Sequence, residues 1–391
     1  MELSAHEAKQ SKTFYETLQS SPTLDLRDKR GKRHDISLVL MGIMVSLFRN
    51  RDGNLSSIHR SMTNMHTHLL EALDIDNQYV MKVVSRSHLP VLLSKVCVDT
   101  FGNLVFDHFG IVLTESEKAW FSMDGKEMRG TILSGDTRGE AIVQAVHQES
   151  KIAYCQGYYN GSKESEKGVV TELLRQTGLA KQGVTLDALH FSPVTLSCIA
   201  QLGGHYVVGL KENQEEIYKD MQQLFNLKNV DYQYFNKEKG HGRIETRQYS
   251  IMDVRKEYFD KRWRFAQLST VIQAKRTRTE LKTGKYSDET SYYMSNCIIA
   301  NTDQAKQIYG RIRNHWAIET NNHIRDVRDV TLKEDALQTI FKTVAQPISL
   351  MRTLIINVLK KEKIKNVAKI LDDFADDFNL LIQFFKNVKI L

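Results

Sequence analysis

Two short apolar runs, Lys118–Asp124 (KAWFSMD) and Gly183–Asp187 (GVTLD), each stop on an aspartate. Runs of this length bounded by breakers read as buried strands. An acid at the carboxyl end of such a strand sits at the mouth of a sheet, where α/β folds bind ligands. Between and after them lie further strand candidates, Ala141–His147, Lys151–Tyr159 and His205–Leu210, and helix candidates, Ser165–Thr177 and Pro193–Leu202. The resulting order is three strands, a helix, a strand, a helix and a strand. Glu166 falls near the start of the first of these helices.

A third acid comes from Gly310–Asp335. Read as a helix, this stretch puts Ile312, Trp316, Glu319 and His323 on one stripe. A carboxylate on a half-buried face is costly unless paired or bound to a cation. Glu319 therefore has either an arginine partner, with Arg311 and Arg313 close by, or a metal shared with other acids. Asp124, Asp187 and Glu319 together can hold two Mg²⁺ or Mn²⁺ ions roughly 3.5–4 Å apart, the arrangement for in-line phosphoryl displacement. Hard cations that keep their waters need only one or two such oxygens each.

Five segments in order carry a resemblance: MDGKEMRGT (Met123–Thr131), VTLDALH (Val184–His190), YVVGLKENQ (Tyr206–Gln214), GHGRIETR (Gly240–Arg247) and NHWAIE (Asn314–Glu319). They resemble the motifs of DDE-type insertion-sequence transposases of the H-repeat-associated (ISAs-type) family, over about residues 25 to 360. The resemblance implies an RNase H-like catalytic domain (116–365) with a β-rich insertion (about 212–308). A helical N-terminal domain (1–115) would precede it, and a helical tail (366–391) would follow. It further implies metal-dependent cleavage at element ends and strand transfer of the 3′-OH into target DNA. Double-stranded DNA would be the partner, bound by a homodimer or higher assembly. Rival readings are an RNase H-like nuclease that cuts without joining and an inactive DNA-binding relative. One departure stands out. The family's DVTF-like aspartate follows the helical glutamate by eight residues, whereas here Val327 holds that place and Asp329 comes ten after Glu319.

The charge fits an anionic partner: 54 Lys and Arg against 47 Asp and Glu give a net +7. Lys126, Arg129, Lys211, His241, Arg243 and His315 are candidates for DNA or transition-state contacts. Between Arg255 and Lys285 ten basic residues meet three acids, with Tyr258, Phe259, Trp263 and Phe265 interleaved. Such a mixture suits phosphate contact and base stacking, and Arg276 and Arg278 are its candidates for phosphate contact. In the insertion, Arg243–Met252, Phe265–Ala274 and Ser291–Ile299 have β-like character. Arg243, Glu245 and Arg247 would share one strand face, so a cross-paired ladder rivals DNA binding there.

Four scattered cysteines without a CxxC point away from a disulfide framework or zinc site and toward a reducing cytosol. No signal peptide is expected, and Ile36–Phe48 is too short to span a bilayer, so a cytoplasmic protein is expected. Histidines 59, 66 and 68 read as surface or packing residues, and Asp372, Asp373, Asp376 and Asp377 as a solvated helical face.

Overall fold

A computed structural model describes residues 12–49, 53–76, 82–113, 118–240, 242–316, 318, 327–339 and 341–391. A mixed α/β fold is built on one nine-stranded sheet in the order β3-β2-β1-β4-β5-β9-β8-β7-β6. Its first strands are β1 (Trp120–Glu127), β2 (Ala141–His147) and β3 (Ala153–Tyr159), joined antiparallel. Strands β4 (Gly183–Leu186) and β5 (His205–Leu210) add in parallel to β1. The expected order of elements is the observed one, with helices α6 (Lys163–Gln176) and α7 (Pro193–Gln201) at the crossovers. Each parallel step needs such a crossover, because a tight turn can only reverse the chain.

After α8 (Glu215–Leu227) the chain forms an antiparallel meander of β6 (Tyr232–Gly240), β7 (Arg243–Asp253), β8 (Thr270–Glu280) and β9 (Tyr286–Ser295). The insertion is thus β-rich, and β9 pairs with β5, so it widens the core sheet instead of standing apart. Strand β6 has no counterpart among the expected strands. Its sequence, YQYFNKEKG, is largely polar because it is the edge strand, with much of it exposed.

The two faces of the sheet are covered by different layers. On one, Phe121, Met123, Val143 and Ala145 pack with α6, α7 and α8 residues such as Val170, Leu196 and Met221. On the other, helix α9 (Thr302–His315) lies over Val207, Tyr249 and Ile272 through Ala305, Ile308 and Ile312. Helix α10 (Lys342–Lys361) covers β2 and β3 on that same side, Asn357 bonding both backbone groups of Ala153.

The helical region before the sheet comprises α1 (Phe14–Gln19), α2 (Ile36–Arg49), α3 (Leu55–Ala72), α4 (Leu89–Leu93) and α5 (Val98–His108). Asn54 caps α3 through its side chain, and Pro90 sits in the first turn of α4, where its missing N–H costs nothing. These helices share one core with α10, α11 (Val367–Asp376) and α12 (Phe378–Asn387). Phe48 alone meets the rings of Phe374, Phe384 and Phe385. His59 bonds the Val84 carbonyl and His68 lies edge-on to Phe378, both packing roles. No helix among the described residues is long and apolar enough to cross a membrane.

Candidate active site

Parallel pairing of β1 with β4 sets Ser122 opposite Thr185, and their hydroxyls lie 3.2 Å apart on one face. Two residues further along each strand, on that same face, stand Asp124 and Asp187. Strand β4 ends there while β1 runs on to Glu127. Asp187 turns the chain: its carboxylate accepts from the Leu189 N–H at 3.0 Å, and its side chain stays 49% exposed.

Helix α9 is pinned beside this pair by its carboxyl end. Ser122 donates to the Asn314 carbonyl at 3.3 Å, and the Gln148 amide reaches the Arg311 carbonyl as well as Ser122 and Thr185. His315 Nδ1 lies 3.0 Å from the Thr185 hydroxyl. Burial, and then the nearby His190 ring, push the His315 imidazole down to about 4. At neutral pH it is an uncharged hydrogen-bonding ring, which removes the charge a phosphate contact would use. The helix begins at Thr302, before the expected Gly310, and Trp316 caps its end with 53% exposure. The apolar stripe therefore turns outward at Trp316, although Ile312 is buried as expected. Arg311 and Arg313 pair with Glu149 and Glu238. Glu319 and His323 lie outside the described residues, as does His241. Ile318, just before Glu319, packs on Val146, whose partner across the ladder is Ser122.

Three further side chains, which sequence reasoning left without a role, border the acid pair. Tyr159 donates to Glu166 at 2.9 Å, and the other Glu166 oxygen lies 3.2 Å from Nε2 of His190. Burial, and then Glu166 and Asp124, push the Tyr159 hydroxyl up, so it stays a donor. Gly125, next to Asp124, makes room for this group: a Cβ there would lie 2.6 Å from the Tyr159 hydroxyl and 2.7 Å from Glu166 Oε1. Gly125→Ala is therefore expected to cost about 1–3 kcal/mol by overpacking, read as a lower urea midpoint with an unchanged slope. Signals were present in the sequence, namely a glycine beside the strand-end acid and a histidine three residues after Asp187. Asn213 and Gln214 brace the same turn by donating to the carbonyls of Ala188 and Phe191, and Trp263 stacks on Phe191 at 4.7 Å.

The basic candidates divide. Lys126 is a correction: it is 6% exposed and held by Asp329 at 2.8 Å, Glu334 at 3.3 Å and Asp335 at 3.4 Å. Burial opposes its charge, but Glu334, Asp329 and Asp335 hold its pKa above the ordinary lysine value. Arg129 and Lys211 are exposed, just past β1 and β5, on either side of the Asp187 turn. On the meander, Arg243, Glu245 and Arg247 do share a face, and Glu245 gathers Arg243, Arg247 and Arg278. Arg276 pairs with Glu289 at 2.5 Å. Removing two cations that each neutralise a phosphate would flatten the salt dependence of duplex binding by about two. With both guanidiniums already paired in the sheet, Arg276→Ala with Arg278→Ala is expected to flatten it by less than about one, measured by salt titration on specific and random duplexes.

Asp124 and Asp187 offer hard oxygen donors of the kind Mg²⁺ or Mn²⁺ takes. Among the described residues no three His, Cys, Asp or Glu side chains form a closed metal-binding group.

No family model matches the chain. Among curated proteins it is 27% identical over 257 residues to "Putative protein YbfL" of Escherichia coli (strain K12), covering 64% of this chain and 66% of that one. It is 26% identical over 257 residues, with the same shares, to "H repeat-associated putative transposase YhhI" of the same strain. To "Putative transposase YncI" of Escherichia coli O157:H7 it is 28% identical over 251 residues, 61% of each chain. The chain therefore spans just under two thirds of the length of the curated relatives it matches. With five motifs in order and relatives of that name, the chain is similar to the H repeat-associated putative transposases.

Proposed function

We propose that this protein is a DDE-type DNA transposase, cleaving at insertion-sequence ends and joining the freed 3′-OH to target DNA. The observation that carries the reading is the pairing of Ser122 with Thr185, from which strand alternation puts Asp124 and Asp187 on one sheet face, with the carboxyl end of α9 docked against Ser122. The order β3-β2-β1-β4-β5, three antiparallel strands followed by two parallel ones, supports an RNase H-like core widened by the meander.

Asp124, Asp187 and Glu319 would hold two Mg²⁺ or Mn²⁺ ions, which when bound supply Lewis acidity at the scissile phosphate and lower the pKa of an attacking water. The Leu189 N–H fixes one oxygen of Asp187, and the side chain stays about half exposed. Arg129 and Lys211, exposed on either side, would position backbone phosphates, a role that sets register without reading sequence. In the first step a water oxygen bonds to phosphorus and the 3′ oxygen leaves as a hydroxyl. In the second, that 3′ oxygen bonds to a target phosphorus and displaces the target's own 3′ oxygen. No covalent link to the protein forms in either step. The active species would be a dimer or larger assembly on duplex DNA in the bacterial cytoplasm.

The test is incubation with a supercoiled plasmid carrying the element ends, with Mg²⁺. Nicks at the ends followed by joined products are expected. Nicks that never join would favour the plain nuclease, and no Mg²⁺-dependent nick would reject the enzyme reading.

A further inference from the structure

We propose that Glu166 is a positioning residue, whose task is to keep the His190 ring proton off the Asp187 carboxylate. This rests on the reading of Asp187 as a cation ligand. His190 is 1% exposed and Nδ1 has no partner among the described residues, so the ring proton belongs on Nε2. Among the described residues that nitrogen has two carboxylate neighbours: Glu166 Oε1 at 3.2 Å and Asp187 Oδ1 at 3.7 Å. Only the first is within hydrogen-bond range.

Four described neighbours favour this choice. The other Glu166 oxygen is fixed by the Tyr159 hydroxyl, and Gly125 leaves the space the pair occupies. Glu166 also lies in the first turn of α6, where a negative charge is stabilised by the helix dipole. Asp187 Oδ1 already accepts the Leu189 N–H. A second donor there would occupy a lone pair and draw density from a carboxylate whose value lies in facing a cation. Without Glu166, Asp187 is the carboxylate left beside the buried His190 N–H among the described residues.

Two measurements decide it, each made on the full chain after a urea curve shows that the variants fold. The first is a crystal structure of Glu166→Ala, in which His190 Nε2 is expected within about 3.2 Å of an Asp187 oxygen. The second is Mn²⁺ affinity, followed by the electron paramagnetic resonance signal of the free ion. Glu166→Ala is expected to weaken binding about tenfold, the scale of lost outer-sphere support, while Glu166→Gln, which keeps an acceptor, stays within about twofold. Adding His190→Phe to Glu166→Ala removes the competing donor and is expected to restore affinity. If Glu166→Gln weakens Mn²⁺ as much as Glu166→Ala, Glu166 is itself a ligand and the proposal falls. It also falls if the ring does not move, or if His190→Phe restores nothing. Wild-type protein that takes up no Mn²⁺ would instead sink the cation reading from which the proposal starts.

Discussion

Glu334→Gln is expected to lower the unfolding free energy by about 3–5 kcal/mol, the scale for breaking a buried ion pair. Arg328 and Glu334 are 0% and 1% exposed and bond at 2.8 and 2.5 Å. Arg328 also reaches the Thr353 hydroxyl and both oxygens of Ser349, which ties this pair to α10. Lys126 brings β1 into the same cluster. Removing one carboxylate leaves two cations short of charge in a place water does not reach. By itself burial would push the Glu334 carboxyl up, but Arg328, and then Lys126 and Arg352, hold it far below the usual carboxylate range. A depressed folded-state value means stability that is present above the unfolded carboxyl's pKa of about 4.3 and is lost as pH falls through the folded value. Wild-type stability should therefore decline below about pH 4.3, and Glu334→Gln should flatten that decline. Urea unfolding at pH 7 and pH 4 checks both the size and the sign. A loss under about 1 kcal/mol would mean that the cluster is no stronger than a surface pair.

Asp124→Asn is the second large effect. It is expected to reduce Mg²⁺-dependent cleavage by at least about 10³-fold, equivalent to about 4 kcal/mol of lost transition-state stabilisation. DNA affinity should be kept or rise slightly, because the substitution removes negative charge where phosphates would lie. Asp187→Asn and Glu319→Gln should behave alike. Parallel loss of binding and cleavage in a protein that still folds would mark these acids as structural.

Asp187 was expected to close a strand, and β4 does end just before it; Asp124 was expected to close one too, but β1 runs on to Glu127, so that acid sits inside the strand beside the point where β4 stops. The crossover helices were legible because they separate strands that must run parallel. What the sequence hid depends on distant partners. Lys126 looks like a loop cation just past an active-site strand, yet Glu334 lies 208 residues further along the chain. The same cluster accounts for the departure after Glu319. Val327 enters the helical core, Arg328 is buried against Glu334, and Asp329 meets Lys126, so the displaced segment becomes the junction between β1 and α10. Glu166 and His190 were hidden for a third reason. They belong to elements on either side of β4, and only the fold brings them together beside Asp187.

The central claim is that Asp124, Asp187 and Glu319 share cations. The most direct measurement is anomalous diffraction from crystals of the wild-type protein soaked in Mn²⁺. The account predicts density at the rim of β1 and β4, coordinated by carboxylate oxygens of all three residues. Ordered Glu319 on the far side of the sheet, or Mn²⁺ bound only away from Asp124 and Asp187, would contradict it.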